Sequence, residues 1–170
     1  MDIKSVIRTI EDFPKPGISY KDITPLLADP KALAWVVDSI AERYRGHVDA
    51  VVGIESRGFI VGAPVAYALN VGLSIVRKPG KLPFDKRSVS YDLEYGSDSL
   101  EIHTDAVGPG SSVVLVDDLL ATGGTAKAAV DLVEQLGARV LECAFIIELG
   151  ALGGQRRLQP TSVHSLTRYE

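Results

Sequence analysis

Two adjacent carboxylates, two hydroxyls and two glycines fall between Asp117 and Thr125, inside the stretch VVLVDDLLATGGTAKAAV at 113–130. The apolar, β-branched run Val113 to Val116 predicts a strand buried on both faces of a parallel sheet, with Asp117 and Asp118 where that strand ends. Ala121, Thr122, Gly123, Gly124 and Thr125 follow as small residues whose backbone N–H groups converge unobstructed at the start of the next helix, which makes an anion cradle. Singly, Asp, Thr and Gly are ordinary caps and turn formers. Jointly, the order of carboxylates, cradle and helix suits a sugar phosphate, with the phosphate on N–H groups and the acids accepting hydrogen bonds from ribose hydroxyls. The commoner phosphate loops are excluded, because the chain has no G-x-x-x-x-G-K-S/T and no strand followed by G-x-G-x-x-G.

A second anion site is expected at Glu55, Ser56, Arg57, Gly58 and Phe59, which follow the buried strand Asp49 to Ile54. The arginine presents a planar fork of donors, and the turn lies at the same end of the sheet as the first cradle. The basic run from Arg77 to Arg87, RKPGKLPFDKR, is too polar and too broken by proline and glycine to be packed. It reads as a mobile loop leaving the carboxyl end of the strand Leu73 to Val76, placed to close over a polyanion.

The elements that position these groups follow from periodicity. Ile3, Val6, Ile7 and Ile10 recur at helical spacing and predict an amphipathic helix over the first dozen residues. Phe13 to Leu27 carries three prolines and a glycine among residues too apolar for a tether, so a shaped flap is expected. Asp29 as N-cap and Pro30 in the first turn open a helix with Leu33, Val36, Val37, Ile40 and Tyr44 on its buried stripe. A further helix spans about 59–69. Ser88 to Tyr95 and Leu100 to His103 alternate as a two-stranded hairpin, Arg139 to Ile147 is another strand, and a short strand lies near Ser162 to Leu166. His47 and His103 read as surface or structural residues.

A chain of 170 residues with 46% hydrophobic content suits one compact α/β domain over 1–170. A net charge of −4, without a Lys/Arg-rich footprint, argues against a nucleic-acid partner. Cys143 is the only cysteine and lies in an apolar run, consistent with a buried thiol in a reducing compartment. The charged N-terminus and the absence of a membrane-length apolar run point to a soluble, cytoplasmic protein.

Five motifs, spread through the chain in one order, resemble those of the adenine phosphoribosyltransferases of the type I phosphoribosyltransferase class. They are DFPKPGI at 12–18 with KDITPLL at 21–27, ESRGF at 55–59, RKPGKLP at 77–83, YDLEYG at 91–96 and VVLVDDLLATGGTA at 113–126. The resemblance implies a central, mostly parallel sheet flanked by helices, with an N-terminal hood contributed by about 1–30 and a mobile hairpin loop. It implies reaction of adenine with phosphoribosyl pyrophosphate, carrying Mg2+, to give AMP and pyrophosphate in purine salvage, and it implies a homodimer. By the same resemblance Ala121 to Thr125 hold the 5′-phosphate and Asp117 and Asp118 contact the ribose hydroxyls. Glu55, Ser56 and Arg57 form the pyrophosphate loop, with a cis Ser56–Arg57 peptide, and Arg77, Lys78 and Lys81 reach the pyrophosphate, in part across a dimer interface. Phe13, Ile18, Ser19, Tyr20 and Lys21 belong to the hood over adenine, Glu94 is the acid/base and Arg57 a second catalytic group, and no protein metal site is implied. Ser19 departs from the family's aliphatic residue at that place, which weakens stacking on the base. Two rivals stay open at this point: a non-catalytic regulator that senses the same donor, and a transferase for a 6-oxopurine.

Overall fold

The computed structural model of the chain describes residues 1–92 and 96–170. In chain order its elements are β1 (Arg8–Ile10), β2 (Tyr20–Asp22), α1 (Thr24–Ala28), α2 (Pro30–Tyr44), β3 (Ala50–Ile54), α3 (Arg57–Leu69) and β4 (Gly72–Val76). They continue as β5 (Lys86–Asp92), β6 (Ser97–His103), β7 (Ser112–Leu120), α4 (Gly124–Gln135), β8 (Arg139–Leu149), α5 (Gly154–Leu158) and β9 (Ser162–Tyr169). A parallel sheet in the order β4-β3-β7-β8-β9 forms the centre, and β1-β2 and β5-β6 form two antiparallel pairs beside it.

Strand alternation divides the core between the two faces of this sheet. Val52, Val113, Leu115, Cys143 and Phe145 pack toward α4. Val51, Val114, Val116, Ala144 and Ile146 pack toward α2 and α3. Both faces are therefore covered, as the uninterrupted apolar strands require. Burial pushes the Cys143 thiol up to about 12, with the nearby Glu142 charge adding to the effect, so it stays protonated and unreactive.

The N-terminus differs from its expected form. Ile3–Val6 is a single 3-10 turn, after which Arg8, Thr9 and Ile10 pair with Asp22, Lys21 and Tyr20. The apolar spacing suits a helix, but the run V-I-R-T-I is rich in β-branched residues and finds an antiparallel partner in β2. Ile3 and Ile7 are consumed inside the core around α2. In α2, by contrast, Asp29 caps as expected, its carboxylate accepting from the N–H groups of Lys31 at 2.8 Å and Ala32 at 3.1 Å.

Behind the sheet, the buried Glu142 ties α2 to β8. It accepts from Arg43 Nε at 2.6 Å, Arg43 Nη2 at 3.1 Å and the Tyr44 hydroxyl at 2.7 Å, while burial and Arg43 hold the adjacent His164 down. Burial alone would raise the Glu142 carboxyl, but Arg43 and Tyr44 outweigh it and hold it below its ordinary 4.5. A carboxyl lowered by folding contributes stability above its unfolded value and loses it as pH falls through the folded one. Urea unfolding of Glu142→Gln is expected to show roughly 1–3 kcal/mol less stability at neutral pH than the parent. The difference shrinks as pH drops below 4.5.

Candidate functional site

The carboxyl ends of β3 and β7 and the turn between β7 and α4 enclose a cleft of about 340 Å³. Its walls bring together the ESRGF turn, the carboxylate pair, the small-residue cradle and Lys78. These were predicted from separate stretches of sequence, and the parallel register of β3 with β7 aligns them.

The carboxylates lie within β7, not after it, since the strand runs on to Leu120 and pairs with β8 as far as Glu148. Side chains alternate along a strand, so the pair cannot act as one bidentate claw. Asp118 is 4% exposed and accepts from Arg57 Nε at 2.5 Å. Asp117 is partly exposed, and its Oδ1 accepts the Asp118 N–H at 2.9 Å. Burial first, and the charge of Asp118 second, push the Asp117 carboxyl well above its ordinary value. Burial opposes the Arg57 charge, but Asp118 prevails and the guanidinium is stabilised.

The cradle is shaped by Gly123, whose φ of 81° is the left-handed conformation a side chain would resist. No side chain caps the first N–H groups of α4, so they stay free for a ligand. Thr125 donates its hydroxyl toward the Tyr91 hydroxyl at 3.2 Å, fastening β5 to the cradle. The non-proline cis bond is Glu55–Ser56, one peptide earlier than expected.

The cations of the site are held by acids. Arg77 donates to both Glu55 oxygens at 3.3 and 3.2 Å, and the Lys78 N–H donates to Glu55 at 2.7 Å. Burial would raise the Glu55 carboxyl, yet these donors keep it below its usual range. The Lys78 ammonium pairs with Asp98, whose carboxyl is lowered chiefly by that contact. Arg77 is also bridged through its backbone to Glu101, and Lys86 and Arg87 belong to β5, so the basic run is anchored at both ends. Lys81 is exposed and does not line the cleft.

The hood residues also lie outside the cleft lining, with one connection to it. The Phe13 and Tyr20 rings meet edge to face at 5.2 Å, and Arg57 Nη1 donates to the Tyr20 hydroxyl at 3.4 Å. Ile18 and Ser19 are exposed, Ser19 donating to Glu11 at 3.2 Å. Lys21 donates to Thr9 at 3.1 Å and to Ser19 at 2.9 Å, and its ammonium sits 4.6 Å from the Tyr169 ring centroid. Glu94 lies outside the described residues.

Three contributors escaped the sequence reading: Asp98, Tyr91 and α5. Gly154 of α5 packs against the Ala121 carbonyl so closely that a Cβ there would collide with it. The signal in the sequence is the Gly153-Gly154 pair, which marks a point of close backbone approach.

Comparison with known proteins follows this geometry. A phosphoribosyl transferase domain model matches residues 19–167. The adenine phosphoribosyltransferase of Methylobacillus flagellatus is 62% identical over 160 residues, covering 94% of this chain and 91% of that one. The crystal structure of adenine phosphoribosyltransferase from Thermoanaerobacter pseudethanolicus superposes with a TM-score of 0.95 at 51% identity, covering 99% and 98% of the two chains. The Saccharomyces cerevisiae enzyme, complexed with an imino-altritol bisphosphate and adenine, gives 0.92 at 40% identity and 98% and 97% coverage.

Proposed function

Since this chain belongs to the adenine phosphoribosyltransferase family, and so transfers the 5-phosphoribosyl group of phosphoribosyl pyrophosphate to adenine to give AMP and pyrophosphate, we propose how its own residues divide that work. The observation that carries the assignment is the single cleft in which the cradle, the carboxylate pair, the ESRGF turn and Lys78 converge.

Ala121 to Thr125 take the 5′-phosphate on free N–H groups and the Thr122 and Thr125 hydroxyls. Asp117 and Asp118 position the ribose hydroxyls. Asp117, its carboxyl pushed up by burial and by the Asp118 charge, and Asp118, held by Arg57, present their oxygens to the sugar in different surroundings. Glu55, Ser56 and Arg57, with Arg77, Lys78 and Lys81, receive the pyrophosphate. As the glycosidic bond forms, positive charge develops at C1′ and negative charge on the leaving group, and these cations stabilise the latter. Phe13, Ile18, Ser19, Tyr20 and Lys21 cover the base, and Glu94 takes its proton.

Magnesium enters as part of the donor. Its oxygen ligands come mainly from the donor, with at most one or two carboxylates of the protein, as is usual for Mg2+. When bound it supplies charge neutralisation to the pyrophosphate. The protein works as one domain over 1–170 in the cytoplasm, without nucleic-acid or membrane partners, and no helix among the described residues is long and apolar enough to cross a membrane. It pairs as a homodimer. Ile3 and Ile7 do not support that, being buried within the chain, but the exposed Ile60, Tyr67 and Leu73 on α3 and β4 do.

A base panel tests the assignment. With phosphoribosyl pyrophosphate and Mg2+, adenine is expected to give AMP at rates at least about 100-fold above hypoxanthine or guanine, because a site built for one hydrogen-bonding edge leaves polar groups unpaired with the other. Preference for either 6-oxopurine would overturn it.

A further inference from the structure

Arg157 is the cation beside the cradle that no acid holds. Arg57, Arg77 and Lys78 are paired with Asp118, Glu55 and Asp98. Arg157, exposed on α5, has neither an ion-pair nor a hydrogen-bond partner among the described residues. It nevertheless packs against the cradle. A Cβ built on Gly123 would lie 3.3 Å from Arg157 Cβ, and one built on Gly124 would lie 3.4 Å from Arg157 Nη1 and 3.6 Å from Cζ. The guanidinium therefore rests on Gly124, the first residue of α4, a helix whose first N–H groups no side chain caps. Gly124 lines the cleft, while Arg157 itself stands just behind that lining. No acidic residue occupies the first turn of α4. A full positive charge and the positive end of a helix thus stand side by side without compensation, an arrangement that a dianion relieves.

We propose that Arg157 is a further binding residue for the 5′-phosphate of the donor and of the nucleotide product, an inference that rests on the reading of the cleft given above. Its guanidinium adds a fixed charge to the backbone cradle and selects for the phosphorylated sugar over the bare one. Arg156 supplies the internal comparison. It is equally exposed but packs on Gly153, where a Cβ would lie 2.8 Å from its Nη2, and it makes no such approach to α4.

The experiment measures ribose 5-phosphate binding by titration calorimetry for the parent protein, Arg157→Gln, Arg157→Lys and Arg156→Gln, with steady-state kinetics on each. For a charge several ångströms from a phosphate at a half-exposed site, Arg157→Gln is expected to weaken ribose 5-phosphate roughly 3- to 30-fold. KM for phosphoribosyl pyrophosphate rises by a similar factor, and kcat, KM for adenine and the unfolding temperature stay unchanged. Arg157→Lys retains most of the affinity, Arg156→Gln retains all of it, and the loss shrinks in high salt. Parental affinity in Arg157→Gln, or an equal loss in Arg156→Gln, overturns the role of Arg157 while leaving the cleft's function intact. Failure of the parent protein to bind ribose 5-phosphate overturns both.

Discussion

Glu94→Gln is expected to lower turnover about 10²- to 10⁴-fold while the affinity for the magnesium-bound donor stays within about twofold. The carboxamide keeps the size and hydrogen-bonding reach of the carboxylate but cannot take the proton that adenine loses as its nitrogen bonds to C1′. The role proposed for Glu94 comes from the YDLEYG motif, whose first residue is Tyr91. Tyr91, three positions earlier, places its hydroxyl 3.2 Å from Thr125 and 3.4 Å from the Lys78 ammonium, so β5 is fastened to the cradle and to Lys78. Single-turnover and steady-state rates, with donor affinity measured separately, distinguish a lost base from a lost fold. An unchanged rate removes Glu94 from the chemistry.

The second large effect is expected at a residue without a side chain. In Gly58→Ala the new methyl would lie 2.7 Å from the Val116 carbonyl oxygen and 3.0 Å from Asp117 Oδ1. Val116 is fully buried in the central strand and has no room to retreat, so the first turn of α3 must move instead. That turn carries Arg57 and its contact with Asp118. We expect a loss of roughly 1–3 kcal/mol in stability, the usual cost of overpacking. We also expect a fall of about 100-fold in kcat/KM for the donor, the scale of a displacement of about 1 Å at a site. Gly62→Ala, where the methyl would meet Leu73 Cδ1 at 3.4 Å, Val51 Cγ1 at 3.6 Å and Gly53 Cα at 3.7 Å, all ordinary van der Waals distances, is the comparison and is expected to behave nearly as the parent. Equal behaviour of the two variants would show that α3 is not fixed against β7.

Much of this site was legible because its signals are local. Val113 to Val116 had to be a strand buried on both sides, and the small residues after it had to turn into a helix, which they do. Partnerships set by register were not legible. Nothing in the sequence ties Lys78 to Asp98 twenty residues on, because the pairing depends on the Arg77–Glu101 bridge that lays this segment beside β6. The strand β1 was hidden for a related reason: Ile3, Val6, Ile7 and Ile10 satisfy a helical period, and only the presence of β2 decides otherwise. The end of β7 was placed too early because charged residues look like a boundary, whereas both stay in the strand, Asp118 pairing with Arg57 and Asp117 accepting the Asp118 N–H. The segment Gly154–Leu158 is too short for any period to emerge.

The acids that hold Arg57, Arg77 and Lys78 give the free protein a form of selectivity by exchange. A bare anion that captured those three cations would strand Asp118, Glu55 and Asp98 as uncompensated negative charges, two of the three being lowered carboxyls with every tendency to stay ionised. A ligand that carries both signs, a polyphosphate with its divalent ion, would offset part of that stranded negative charge as it took the cations. On the roles proposed above, free phosphate and free pyrophosphate would compete poorly for this site, and a divalent ion travelling with the donor would serve as its admission token as well as its neutralising charge.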